Sequence, residues 1–186
     1  MSALPKFESQ VGDEWIVHRY PKVFVREKTS GADRLKIEAS QEGTQTMLLL
    51  ASVLGAPFAA LYVLLVPRGG SAEGRYQSPW MSRSELSDLF ERFASYWDQD
   101  ARHHIWLFSD PDRATLVYDQ HNVIFAYGPI EDYIRVLETS GYSEAQALAF
   151  PAPHTHRYHV AFDQEERDLV SLPGWTKSPL RKGDKW

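Results

Sequence analysis

The 186-residue chain contains no cysteine. Disulfides, thiolate nucleophiles and every cysteine-ligated metal or cluster site are thereby excluded, and a reducing, cytoplasmic compartment is the expectation. The phosphate-cradling GxxxxGK(S/T) loop and the dinucleotide GxGxxG turn are also missing. Gly69-Gly70-Ser71-Ala72-Glu73-Gly74 follows an apolar segment, as such a loop should, but it has no lysine and runs into Pro79. HExxH, HxxEH, GxSxG and the EF-hand loop are absent as well. No motif implies a cofactor, so none is expected, and no motif assigns the chain to a family.

Long apolar runs are scarce. The longest uncharged one, Met47–Val66, is broken at Gly55-Ala56-Pro57 and reads as a buried helix followed by a buried strand rather than a membrane span. Met1–Gln10 lacks the apolar run beside a basic segment that marks a secretory leader. Excess positive charge is lacking too: the net charge is −5, and residues 111–170 carry ten acidic side chains against four basic ones. Nucleic-acid affinity comes mainly from clustered Lys and Arg, so no nucleic-acid partner is expected. The basic cluster Lys177, Arg181, Lys182 and Lys185 falls in residues 171–186, read as a flexible tail behind a single domain over residues 1–170.

What is present describes an α+β domain. Arg34–Ala39 alternates Leu35, Ile37 and Ala39 with Arg34, Lys36 and Glu38, the pattern of a strand with one wet face. Ser30–Asp33 is a turn joining it to a strand region within Trp15–Glu27. Ser82 and Glu85 form a capping box, and Leu86, Leu89, Phe90, Phe93 and Trp97 follow at helical spacing. His104–Phe108, Thr115–Tyr118 and Asn122–Tyr127 are closely joined strands, which must be antiparallel neighbours. Pro129 and Gly141 bracket a second amphipathic helix. Ala145–Phe150 and Tyr158–Phe162 read as further strands, and Thr44 or Thr46 as the cap of a helix over Met47–Leu54. The sum is a mostly antiparallel sheet of six to eight strands with two or three helices on one face.

Three constellations carry chemistry. Asp119 and His121 lie in one turn, so the carboxylate can orient the imidazole as a general base, with Arg75 or Arg102 to clamp an anion. The ordinary reading of Asp119, His121 and Asn122 is turn formation. His154 and His156 share a strand face and suit a metal, with Asp163 as a carboxylate to complete the set; Pro151 and Pro153 make the approach to them irregular. Arg68, Arg75, Tyr76 and Trp80 form an arginine- and aromatic-rich loop of the kind that anchors protein interfaces; the alternative is that Tyr76 and Trp80 only close the core. With no complete catalytic set, the leading expectation is a non-catalytic module of regulatory, adaptor or toxin-neutralising type that recognises another, basic protein. The alternatives are a hydrolase-like enzyme on a small anionic substrate, using His121, and a metal-binding protein, using His154 and His156. Oligomeric state is left open.

Overall fold

The computed structural model describes residues 3–17, 19–39, 42–150 and 153–185. Pro151, part of the irregular approach to His154, lies outside them. The alternation of apolar and polar residues builds the central sheet. Strands β3 (Val23–Glu27), β4 (Arg34–Glu38), β5 (Phe58–Leu64), β6 (Gly74–Gln77), β7 (His103–Ser109), β8 (Ala114–Tyr118) and β9 (Val123–Tyr127) form its body. With β10 (Ser143–Glu144) and β12 (Thr176–Ser178) at its edges, the order is β10-β3-β4-β9-β8-β7-β5-β6-β12, nine strands in all. Every pairing is antiparallel except β10 with β3. A smaller sheet of β1 (Phe7–Val11), β2 (Glu14–Val17) and β11 (Thr155–His156) runs in the order β11-β1-β2.

The α+β class holds, but the counts differ from expectation. There are twelve strands and four α-helices among the described residues, against six to eight and two or three. The surplus strands are mostly the two- and three-residue edge pieces β10, β11 and β12, too short to leave a period in the sequence. Ala145–Phe150 forms no strand, and Val160–Phe162 is a 3-10 turn that leads into α4 (Asp163–Val170). Pro21 splits the Trp15–Glu27 region into β2 and β3, which belong to different sheets.

One face of the large sheet is the core. Leu35, Ile37, Tyr62, Ile105, Leu107, Leu116, Tyr118, Ile124 and Ala126 are fully covered and cluster with residues of α1 (Gly43–Ala51), α2 (Arg83–Gln99) and α3 (Ile130–Thr139). The capping box of α2 forms as the sequence predicts, with Ser82 and Glu85 each satisfying the other's backbone N–H. Helix α1 begins earlier than expected because its cap is not local. Asp98, near the end of α2, accepts from the Thr44 backbone N–H at 3.0 Å and from the Thr44 hydroxyl.

The opposite face carries two cross-strand rows. Register places Lys36, Phe125, Val117, Trp106, Leu61 and Gln77 side by side. Beside them run Tyr127, Thr115, Phe108 and Ala59. Most of these side chains are half-buried, whereas the helix-facing ones are fully covered. At one end this face is roofed: Glu38 and His104 are fully buried there, and the Glu38 carboxylate accepts from the Phe150 backbone N–H at 2.7 Å.

Lys6 ties the small sheet to the large one. Its ammonium donates to the carbonyls of Trp97 at 2.9 Å and Asp119 at 3.0 Å and lies 4.0 Å from the centre of the Tyr118 ring. Burial lowers its pKa to about 8, against the opposing pull of Asp98, Asp119 and Asp100. Within the basic C-terminal segment, β12 extends the sheet at β6, and Asp184 takes a 2.6 Å ion pair from Arg75. Among the described residues no helix is long and apolar enough to cross a membrane.

Candidate metal centre

The site starts from the four-residue turn between β8 and β9. Asp119 N–H donates to the Val123 carbonyl at 3.0 Å, and Asn122 adopts a positive φ of 59°. Asparagine is among the residues that tolerate this conformation best. The Asp119 carboxylate organises the loop: Oδ1 accepts from the backbone N–H groups of His121 at 2.8 Å and Val123 at 3.0 Å. Its Oδ2 lies 2.9 Å from His121 Nδ1. Turn formation and imidazole orientation are therefore one device.

The pairing sets the tautomer. A carboxylate with a depressed pKa is acceptor-only, so Nδ1 carries a proton, and in the neutral imidazole the lone pair is then on Nε2. Burial works against ionisation of Asp119, but the hydrogen bonds from the His121 ring and the Val123 backbone N–H hold its carboxyl below the ordinary range.

His121 meets the two histidines of the β11 region. Its ring centre is 5.0 Å from those of both His154 and His156, which are 4.9 Å from each other. One ring nitrogen from each of the three lies within 4.8 Å of the others. Phe150 stacks on His121 at 4.6 Å, and Phe7 of β1 meets His154 edge-on at 5.6 Å. The triad is thus held between aromatic rings where the small sheet meets the large one. His156 Nε2 is buried and has no hydrogen-bond partner among the described residues. Burial, with the nearby His121 and His154, lowers the His156 pKa to about 4, so this imidazole is neutral at pH 7.

A cavity of about 420 Å³ opens beside His121, lined by Lys36, Asp119, Val123, Phe125, Leu148 and Phe150. Its cationic side chain is Lys36; neither Arg75 nor Arg102 reaches it. Arg102 is fully buried, and all five of its N–H donors are engaged. They serve Asp100 (2.8 and 2.9 Å), Glu166 (2.7 Å), Asp163 (3.2 Å) and the His159 carbonyl (2.8 Å). It neutralises buried carboxylates and has no donor for a ligand. Asp163 sits in this network, paired also with Arg68 at 3.3 Å, and is not among the residues that converge on the triad. His159 is absent from the triad as well; its Nε2 lies 2.8 Å from the Pro5 carbonyl.

The loop read as an interface is partly internal. Tyr76 is buried and donates its hydroxyl to the Ala72 carbonyl, and Arg75 is nearly covered beside Asp184. Arg68 is half-exposed, and Trp80, 53% exposed, packs 6.0 Å from Phe108.

Sequence spacing pointed to the Asp119–His121 pair and to His154 with His156, but not to their union. Lys36 and Phe150, which frame the site, carried no local signal beyond strand alternation. No family model matches this chain, and no curated protein or solved structure matches it.

Proposed function

We propose that the protein binds a divalent transition metal, zinc foremost, through His121, His154 and His156, with Asp119 fixing His121 from behind. The convergence of three imidazole nitrogens within 4.8 Å carries this reading. Two further observations support it: the buried His156 Nε2, without a hydrogen-bond partner among the described residues, and the carboxylate on His121 Nδ1. The second is the outer-shell arrangement typical of ligating histidines. Imidazole donors suit zinc and its neighbours, and ligation requires them neutral, as His156 is. In a tetrahedral zinc site the donors stand roughly 3.3 Å apart, so rotation of the rings would close the group onto an ion.

An ion held by these three imidazoles would supply Lewis acidity to a water or substrate beside them. The chain's own residues orient the ligands: Asp119 holds His121 by Nδ1, while Phe150 packs on His121 and Phe7 on His154. This reading takes precedence over protein recognition because two of the four residues proposed for that surface, Arg75 and Tyr76, are paired or buried.

Zinc titration of the purified protein against a competing chelator tests it. One equivalent should bind tightly, and His121→Ala, His154→Ala and His156→Ala should each weaken binding by more than about tenfold. Equal zinc uptake by the wild type and all three variants would refute the site.

A further inference from the structure

The cavity beside His121 does not end at Phe125. The same ring lines a second cavity of about 540 Å³ with Arg34, Trp106, Thr115, Val117 and Tyr127. Trp106 and Thr115 in turn line a third, of about 390 Å³, which reaches Trp80 and Phe108. With Phe125, Trp106 and Thr115 as shared walls, the three lie in a row across the uncovered sheet face, a trough that follows the Lys36–Phe125–Val117–Trp106–Leu61 row. Four strand spacings separate β4 from β5, so the trough is about 19 Å long. Its floor is aromatic and aliphatic, and one end lies at the histidine triad.

The charges facing it have a definite balance. Arg34 and Lys36 share one carboxylate, Glu27, with Lys36 at 3.6 Å from it. Arg34 also donates to the Tyr127 hydroxyl at 2.5 Å, and its guanidinium lies 4.7 Å from the Phe125 ring centre. Lys36 is the cation that lines the cavity next to His121. Of the remaining charges, the Asp119 carboxylate is turned into its own loop, where it accepts from the backbone N–H groups of His121 and Val123 and the buried Lys6 ammonium donates to the Asp119 carbonyl; Arg75 is matched by Asp184, and Glu38 is buried beneath Phe150. Arg34 and Lys36 thus carry one positive charge more than Glu27 offsets, at the β4 end of an apolar trough.

We propose that the trough binds an elongated aromatic monoanion, an arene bearing a single carboxylate, with rings along Trp106 and Phe125 and the anionic end between Lys36 and the triad. The inference rests on the metal reading of that triad for what the anionic end meets there. Rings of two or three units match the length, and their faces suit aromatic packing. The excess cation selects an anion over a neutral or cationic analogue.

The test uses para-biphenylcarboxylate, biphenylmethanol and biphenylmethylammonium, followed by calorimetry and by quenching of tryptophan fluorescence, with and without one equivalent of zinc. The carboxylate should bind about tenfold more tightly than the alcohol, and the ammonium most weakly. Lys36→Gln should erase the preference for the acid over the alcohol. Trp106→Ala, on the uncovered face and so compatible with folding, should weaken all three ligands. Zinc should tighten the carboxylate alone. Indifference to ligand charge, or unchanged binding in Trp106→Ala, overturns the proposal. Zinc uptake without carboxylate binding overturns it and leaves the metal reading standing. Charge-selective binding that depends on Trp106, in a protein that takes up no zinc, supports the trough and removes the metal.

Discussion

Asp119→Asn changes one atom of the site and should cost most of its metal affinity. The turn needs an acceptor for the backbone N–H groups of His121 and Val123, which Asp119 Oδ1 supplies at 2.8 and 3.0 Å. An asparagine keeps that acceptor by placing its carbonyl there, which points its NH2 at His121 Nδ1. Two donors cannot face each other, so the imidazole must move its proton to Nε2, the nitrogen not engaged by residue 119. The alternative, flipping the amide, would leave two backbone donors in the turn unsatisfied at about 1–3 kcal/mol each. Either route acts against ligation. Loss of such an outer-shell carboxylate typically costs 10–100-fold in affinity, or about 1.4–2.7 kcal/mol. Competition with a chromogenic chelator at neutral pH measures this directly, and circular dichroism checks that the turn keeps the fold. Zinc affinity within about threefold of wild type in a folded Asp119→Asn protein, with His156→Ala inactive in the same assay, would refute the tautomer argument.

Other consequences follow from burial. Arg102→Met leaves Asp100 and Glu166, both 0% exposed, without their cation and should destabilise the fold by about 3–5 kcal/mol, read from urea midpoints. His104 is fully buried, and desolvation first, with Lys6 and His121 adding to it, lowers its pKa to about 4 from 6.5. Its folded form therefore binds fewer protons than the unfolded chain between those values, so stability falls as pH drops from 6.5 towards 4, by about 3 kcal/mol for this group. Thermal melts across that window should show the decline, and a flat profile would count against a buried neutral imidazole. Ser82→Ala removes half of the α2 capping box and should cost about 1 kcal/mol in chemical denaturation, with zinc binding unchanged.

Much of the scaffold was legible because its signals are local. Helix α2 announces itself through Ser82, Glu85 and the apolar stripe from Leu86 to Trp97, and the β7-β8-β9 meander through short turns between alternating segments. What escaped depends on distant partners. The first turn of α1 is capped by Asp98, which lies 54 residues from Thr44. The two-residue strands β10 and β11 exist only through their pairing with β3 and β1.

The site divides the same way. Asp119 and His121 are two residues apart, as are His154 and His156, and both pairs can be seen in the sequence. Their meeting depends on where β11 joins β1 and on how that small sheet closes over the end of the large one, which no spacing encodes. Arg102 looked like an anion clamp because an isolated arginine beside histidines suggests one. Its true environment is set by Glu166 and Asp163, more than sixty residues away.

Cobalt(II) titration followed by visible absorption tests the metal centre most directly, because the ion reports both stoichiometry and coordination. Saturation at one equivalent is expected, with the intense bands of a four-coordinate ion that are absent in His156→Ala and disappear when zinc displaces cobalt. A weak, unsaturable spectrum typical of hydrated cobalt, the same in wild type and His156→Ala, would contradict it.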